Sequence, residues 1–212
     1  MKNKILIVGA DIEIIELIQT HSTDYEIFGI VDNNIKDTYH KIKVIGQDSH
    51  VVNIPNLSGS VEIVITIDDP HTKERLYEYY RNHGFSFAKI VSNKAIVSPY
   101  AHLEDGIIIQ NGVNVGPNVI IKSCTKLNTN ANIMHDVSIG KYCTIAPNVV
   151  ALGYVEIGNG VFLGANSTVL PRVRLDDYTT IGAGAVVTKN TDKNKVYVGN
   201  PARLLDRSSK QR

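Results

Sequence analysis

Aliphatic side chains recur at every sixth position through the second half of the chain. Starting at Val97, sixteen successive positions in this register are all Val, Leu, Ile or Ala. Because aliphatic residues fill about a third of an average sequence, such agreement would arise by chance on the order of once in ten million trials. This region therefore predicts a repeating architecture. The sixteen positions are Val97, Leu103, Ile109, Val115, Ile121, Leu127, Ile133, Ile139, Ile145, Ala151, Ile157, Leu163, Val169, Leu175, Ile181 and Val187.

Each six-residue unit predicts one short strand, and three units would close one coil of a parallel β-helix shaped as a triangular prism. The aliphatic residue of each unit points inward, where the stacked side chains form a continuous core. The residue four places further on lies near a corner, which favours a small or apolar side chain. The sixteen positions give about five coils with no insertion in the walls. The corner residues are Val119, Thr125, Ala131, Val137, Cys143, Val149, Val155, Val161, Ser167, Val173, Thr179 and Ala185.

Strand and helix signals alternate in the first part of the chain. Short apolar runs over residues 5–8, 27–31 and 61–67 predict three strands, and residues 85–91 are a fourth strand candidate. Apolar residues at helical spacing over residues 12–20 predict a helix between the first two strands. This order of elements predicts βαβ units around a small parallel sheet.

A second helix is predicted to begin at Asp69 and Pro70, where an N-cap residue precedes a proline at the first helical position. Gly84 favours termination of this helix. The residues expected to share one face of it are Leu76, Tyr79, Tyr80 and His83.

The change of pattern near residue 93 predicts two domains. Residues 1–93 would form the small α/β domain, and residues 94–205 would form the β-helix. Residues 206–212 are predicted to be a frayed tail.

Composition excludes several classes of protein. The formal net charge is +1, which argues against a surface for nucleic acid. No apolar stretch reaches the roughly 18 residues that a membrane span needs. The N-terminal apolar run is too short for a signal peptide, and the two cysteines, Cys124 and Cys143, fit the free thiols of a cytoplasmic protein.

His135 is the candidate catalytic residue of the repeat region. It lies two places after the inward residue Ile133, so its side chain should point away from the prism. A neutral imidazole can take a proton from an attacking amine or hydroxyl near pH 7. Asp136 follows directly and could orient the ring as a carboxylate orients a catalytic base. Only His102 joins it within the repeats, and two histidines are too few for a catalytic metal site, so we expect no metal.

Three motifs resemble the hexapeptide-repeat sugar O-acyltransferase family. This family includes sialic acid O-acetyltransferases and the bacillosamine, perosamine and viosamine N-acetyltransferases. Residues 128–136, NTNANIMHD, match its pattern N-T-x-A-x-I-x-H-[DE]. Residues 198–203, VGNPAR, match its closing signature, and residues 29–34, GIVDNN, match a weaker motif. The resemblance covers nearly the whole chain.

The resemblance implies a small Rossmann-like N-terminal domain that binds a nucleotide-sugar, followed by a left-handed β-helix. It implies a homotrimer with acetyl-CoA in the groove between neighbouring helices, and His135 and Asp136 as catalytic residues. It also suggests that the N–H of Gly153 stabilises the oxyanion. The residues implied to contact acetyl-CoA are Thr144, Gly153, Ala165, Ala183 and Lys189.

The resemblance places the nucleotide-sugar at the ends of the first two strands. The residues implied are Gly9, Ala10, Asp32 and Asn33. Two positions depart from the family pattern. Thr144 stands where many members have a second histidine, and the segment from Asp11 to Glu13 replaces further glycines that would approach a phosphate.

The function predicted from this resemblance is acetyl-CoA-dependent N-acetylation of a nucleotide-linked amino sugar. The acceptor implied is a 4-amino-4,6-dideoxyhexose for a surface glycan, such as the O-antigen of lipopolysaccharide. One alternative is O-acetylation of sialic acid or another sugar. A second alternative is a trimer that binds nucleotide-sugars without catalysis.

Overall fold

The computed structural model describes residues 2–22 and 24–205. The predicted tail over residues 206–212 lies outside the described residues. Among the residues that the structure describes, no helix is both long and apolar enough to cross a membrane.

A six-stranded sheet with the strand order β3-β4-β2-β1-β5-β6 forms the N-terminal part. All its neighbouring strands are parallel except β3 and β4. The predicted alternation of strands and helices is therefore confirmed, with the β3–β4 hairpin and a short helix added. The elements are β1 (Asn3–Val8), α1 (Ile12–His21), β2 (Tyr25–Val31), β3 (Thr38–Tyr39), β4 (Ile42–Gly46), α2 (Asp48–Val51), β5 (Glu62–Ile65), α3 (Pro70–Asn82) and β6 (Ser86–Phe87).

The buried face of helix α3 overlaps the predicted one only in part. Its N-cap is Asp69, as expected, and Leu76 and Tyr80 are buried. His83, however, is exposed, whereas Lys73 is only 1 % exposed. The reason is that α3 packs against the β-helix as well as the sheet, which shifts the buried face.

The β-helix has three flat faces, each a sheet of stacked parallel strands. In every coil the chain crosses face 1, then face 2, then face 3. Face 1 comprises β7 (Ile90–Val91), β10 (Ile108–Ile109), β13 (Lys126–Leu127), β16 (Thr144–Ile145), β19 (Phe162–Leu163), β22 (Thr180–Ile181), β24 (Val196–Val198) and the antiparallel β25 (Arg203–Leu204). Face 2 comprises β8 (Ile96–Val97), β11 (Asn114–Val115), β14 (Asn132–Ile133), β17 (Val150–Ala151), β20 (Thr168–Val169) and β23 (Val186–Val187). Face 3 comprises β9 (His102–Leu103), β12 (Ile120–Ile121), β15 (Ser138–Ile139), β18 (Glu156–Ile157) and β21 (Arg174–Leu175).

The predicted register of the repeat is confirmed at every position. Each aliphatic residue of the series is the second residue of its strand. From Ile109 to Val187 these side chains are at most 4 % exposed and form one continuous cluster. Because each inward side chain stacks on the equivalent one in the next coil, the walls are rigid and hold the residues of the prism edges in fixed positions.

The predicted strand over residues 85–91 was wrong as a single element. Ser86–Phe87 belongs to the N-terminal sheet, whereas Ile90–Val91 pairs with Ile108–Ile109 on face 1. Only Ala88 and Lys89 separate the two strands, and Phe87 and Ile90 belong to different core clusters. The predicted division at residue 93 therefore falls just after the first strand of the β-helix.

The N-terminal sheet and its helices cover face 1. Ile90 and Ile108, on face 1, lie in the same core cluster as Ile5 and Ile14 of the N-terminal part. Tyr142 joins the cluster on the other side of the sheet.

Candidate active site

His135 lies in the turn after β14, on the prism edge between face 2 and face 3. Its side chain is 49 % exposed, and its Nδ1 atom lies 2.8 Å from Oδ2 of Asp136. Asp136 adopts a positive φ of 59°, which turns the chain sharply and brings the carboxylate beside the ring. The predicted outward direction of His135 and its pairing with Asp136 are thus present in the fold.

Asp136 is held ionised by its hydrogen bonds. The bond from His135 lowers the pKa of the Asp136 carboxyl, and a bond from Asn118 adds to this effect. The Nδ2 atom of Asn118, one coil earlier, donates to Oδ1 of Asp136 at 3.1 Å. An ionised carboxylate accepts the proton carried by Nδ1, which leaves Nε2 of His135 without one and able to act as a base.

Gly153 lies one coil beyond His135 on the same edge. A Cβ atom at Gly153 would lie 2.7 Å from Cε1 and 2.8 Å from Nε2 of His135, so only glycine leaves room for this ring position. The N–H of Gly153 has no hydrogen-bond acceptor among residues 2–22 and 24–205. Tyr154 contacts the ring edge-on at 5.3 Å, and Arg172 stacks over Tyr154 at 4.6 Å.

A second group of predicted residues lines a cavity of about 790 Å³ between the N-terminal sheet and face 1. Gly9, Ala10, Asp32 and Thr144 all lie on its wall. Asn33 lies beside it and lines a smaller cavity together with Gly9 and Asp32. The four residues predicted to hold the nucleotide-sugar are therefore brought together.

The turn after β1 is closed by its own side chains. Asp32 accepts hydrogen bonds from the N–H groups of Ala10, Asn34 and Ile35. Asp11 caps α1 by accepting from the N–H groups of Glu13 and Ile14. These backbone donors are consequently occupied before any ligand arrives.

Thr144 lies with the cavity residues rather than with His135. It stands on face 1, is 2 % exposed, and its hydroxyl accepts a hydrogen bond of 3.0 Å from Nζ of Lys73. The same hydroxyl lies 3.3 Å from the carbonyl oxygen of Asp68 and donates to it. Thr144 therefore links the β-helix to α3 by a hydrogen bond and also forms part of the cavity wall.

The other residues predicted to contact acetyl-CoA flank face 2. Ala165 and Ala183 occupy equivalent turns on the edge between face 1 and face 2, and both are at least partly exposed. Lys189 follows β23 and lies on the same edge as His135, three coils further on. In a single chain these residues lie on two different edges.

Two lysines of the cavity region, Lys126 and Lys73, were missed by the sequence analysis. Lys126 lines the cavity, and its Nζ lies 3.4 Å from Oδ2 of Asp11 and 3.3 Å from Oδ1 of Asp68. Burial lowers the pKa of Lys73 to about 8. The repeat could have pointed to Lys126. This residue lies one coil before Thr144, in the equivalent position of its strand.

The two cysteines lie in the protein interior, apart from the His135–Asp136 pair. Cys124 and Cys143 are buried free thiols whose pKa burial raises, so neither is an activated nucleophile. Within the described ranges, no cluster of three His, Cys, Asp or Glu side chains could hold a metal ion.

Comparison with known proteins identifies the repeat and the fold. Residues 118–153 and 154–189 match the model for bacterial transferase hexapeptide (six repeats). The acetyltransferase domain of PglB from Neisseria gonorrhoeae FA1090 has a TM-score of 0.90 at 21 % identity, covering 96 % of this chain and 100 % of that one. PerB from Caulobacter crescentus, solved with CoA and GDP-perosamine, has a TM-score of 0.89 at 25 % identity, covering 97 % and 98 %.

A more distant likeness comes from a mutant of AntD, an N-acyltransferase from Bacillus cereus. It was solved with dTDP-4-amino-4,6-dideoxyglucose and coenzyme A. Its TM-score is 0.51 at 17 % identity, covering 63 % of this chain and 87 % of that one. The predicted fold is thus confirmed: the chain has an α/β N-terminal part followed by a left-handed β-helix of hexapeptide repeats, as in the acetyltransferase structures that it resembles.

Proposed function

We propose that the protein transfers the acetyl group of acetyl-CoA to the amino group of a nucleotide-linked sugar. The observation that carries the proposal is the His135–Asp136 pair, with a 2.8 Å contact, on a rigid edge beside Gly153. The similarity to PerB, which was solved with CoA and GDP-perosamine, supports the same pair of substrates here. Acetyl-CoA is the acyl donor in this proposal, and no metal takes part.

The geometry fits direct transfer without an acyl-enzyme. The amine attacks the carbonyl carbon of the thioester while Nε2 of His135 takes the proton that the amine loses. The free N–H of Gly153 donates to the oxyanion of the tetrahedral intermediate. When the carbon–sulfur bond breaks, the CoA thiolate leaves and the proton on His135 is available to it. Asp136 stabilises the charged imidazole throughout.

One chain alone does not bring the base to the cavity. The cavity lies against face 1, whereas His135 lies on the edge opposite that face, between faces 2 and 3. A second copy would solve this problem if its edge between faces 2 and 3 lay beside the edge between faces 1 and 2 of the first. In the homotrimer implied by the family resemblance, each of the three equivalent interfaces would bring these two edges together.

Face 2 is the face best suited to the axis of this trimer. Its outward residues are uncharged, whereas face 3 carries Glu156 and Arg174 and face 1 is already covered. With face 2 at the axis, Ala165 and Ala183 of one copy would meet His135 and Lys189 of the next. The groove between them would hold the pantetheine arm of acetyl-CoA. The outward residues of face 2 are Ile96, Asn114, Asn132, Val150, Thr168 and Val186.

An amine acceptor is favoured over a hydroxyl. PerB and AntD were both solved with amino-sugar nucleotides, and the latter sugar is a 4-amino-4,6-dideoxyhexose. We therefore propose an acceptor of this class, used in the cytoplasm for a surface glycan such as an O-antigen. O-acetylation of a sialic acid and binding without catalysis are the competing functions.

A thiol-release assay separates these functions. The protein would be incubated with acetyl-CoA and a panel of UDP-, dTDP- and GDP-linked amino sugars, with CMP-sialic acid included. Release of CoA with one of the amino sugars is expected, and mass spectrometry would show the acetamide. Release only with CMP-sialic acid would favour the O-acetyltransferase. No release with any acceptor, together with nucleotide-sugar binding, would favour the non-catalytic trimer.

A further inference from the structure

Lys126 is a buried ammonium group on the wall of the cavity. Its side chain is 6 % exposed, although it occupies the outward position of β13, which Ile108 fills one coil earlier. Burial of a charge in such a position is unfavourable unless partners compensate it. The partners are Asp11 and Asp68, which belong to two different loops of the N-terminal part.

Both ion pairs are long. The distances from Nζ of Lys126 are 3.4 Å to Asp11 and 3.3 Å to Asp68, whereas charge-assisted N–H···O bonds are typically about 2.7–2.9 Å. An ammonium group has a third donor as well. Lys126 thus retains hydrogen-bonding capacity toward the cavity that it lines.

The cavity otherwise disfavours an anion. In the part of the chain that the structure describes, Lys126 is its only cationic lining residue, and the lining carboxylates number four. Those carboxylates are Asp11, Glu13, Asp32 and Asp68.

The backbone offers little compensation. The N–H of Ala10 already donates to Asp32, and those of Glu13 and Ile14 donate to Asp11. The N–H of Gly9 donates to the carbonyl of Val31. A phosphate at this turn would therefore find four of the amide donors around it taken.

We infer that Lys126 is the binding residue for the diphosphate of the nucleotide-linked substrate. The inference rests on the proposed function, because it requires an acceptor that carries a diphosphate. Lys126 reaches from the β-helix to a ligand whose nucleoside lies on the N-terminal sheet. The diphosphate takes the third donor of the ammonium and competes with Asp11 and Asp68 for the other two.

Binding of nucleosides and of their 5′-diphosphates would test this role. The affinities of the wild-type protein for UDP, GDP and dTDP, and for uridine, guanosine and thymidine, would be measured by calorimetry. Ligand-observed NMR would serve where binding is weak. The pair that binds best would then be measured with Lys126→Met. The control is Lys122→Met, which removes the same charge from an exposed position outside the cavity.

We expect Lys126→Met to weaken the diphosphate about 10- to 100-fold, the usual range for a hydrogen bond to a charged group. In Lys126→Met, the affinity for the nucleoside and the KM for acetyl-CoA should stay unchanged. The control variant Lys122→Met should bind the diphosphate as the wild type does. Lys126→Gln should lose the same affinity, and it provides the test if the methionine variant does not fold. Equal loss for nucleoside and diphosphate would show a structural role and overturn the inference, as would undiminished diphosphate binding.

Failure of the proposed function would look different. A wild-type protein that binds none of the six compounds and releases no CoA with any acceptor would contradict the nucleotide-sugar substrate itself. A wild-type protein that acetylates a nucleotide-sugar while Lys126→Met retains its KM for that sugar would contradict only the role of Lys126.

Discussion

Gly153 lies against the ring of His135, and a methyl group on its α-carbon would stand 2.8 Å from Nε2. Gly153→Ala should displace the imidazole ring of His135, because the backbone of the β-helix wall is rigid and cannot move away. A misplacement of about 1 Å lowers the rate on the order of 100-fold, so we expect a fall of that size in kcat. Gly59→Ala is the matched control, because a methyl group there meets open space. Undiminished kcat in Gly153→Ala would show that the ring does not need this position.

Asp136 is expected to act through His135. Asp136→Asn removes the negative charge that fixes the proton on Nδ1, so kcat should fall about 10- to 100-fold while the fold persists. Asn118→Ala removes the other hydrogen bond of Asp136 but leaves the carboxylate, and it should have a smaller effect. Steady-state thiol release with both variants checks the order. An Asn118 variant as impaired as the Asp136 variant would contradict the assignment.

Sharing of the site between copies predicts complementation. His135→Ala lacks the base, and Ile12→Trp should fill the cavity, because Ile12 is 39 % exposed and lines it. Each variant alone should be inactive. Trimers refolded from an equal mixture should recover about a quarter of the wild-type activity, since random assembly pairs an intact base with a neighbouring intact cavity at that frequency. Mixed trimers without activity would place the base and the cavity in the same copy.

Lys73 should make stability depend on pH. Burial lowers its pKa to about 8 from 10.5, so between these values the unfolded chain binds more protons than the folded one. The free energy of unfolding of the wild type, relative to Lys73→Met, should therefore rise with pH in this window. The slope should be at most about 1.4 kcal/mol per pH unit.

Urea titrations at several pH values and one protein concentration measure this slope. Lys122→Met, which removes an exposed lysine, is measured in parallel as the matched control. A flat or falling difference for Lys73→Met would mean that Lys73 remains charged in the folded protein throughout.

The period of the repeat made the β-helix predictable. Because each coil repeats the geometry of the last, the register of Ile133 fixes the outward direction of His135 two residues later. The same arithmetic places Gly153 one coil beyond it. The roles of both residues came from the motif that resembles a known family, since a period alone gives a shape without chemistry.

The packing of the N-terminal part on face 1 could not be derived in this way. Lys126 meets Asp11 and Asp68 across large separations in sequence, and no periodic pattern relates them. Residues 85–91 were predicted as one strand, and no periodic pattern shows that Ser86–Phe87 and Ile90–Val91 pair in different sheets. The burial of Lys73 could not be predicted either. Helix α3 packs against the β-helix as well as the sheet, and the sequence pattern of α3 does not show this second contact.

The kcat of His135→Ala tests the central claim most directly. With the best acceptor of the panel, thiol release should fall about 10²- to 10⁴-fold while the circular dichroism spectrum and the oligomeric mass stay unchanged. His102→Ala, an exposed histidine on face 3, should retain wild-type kcat. Turnover by His135→Ala close to that of the wild type would contradict the assignment of His135 as the base.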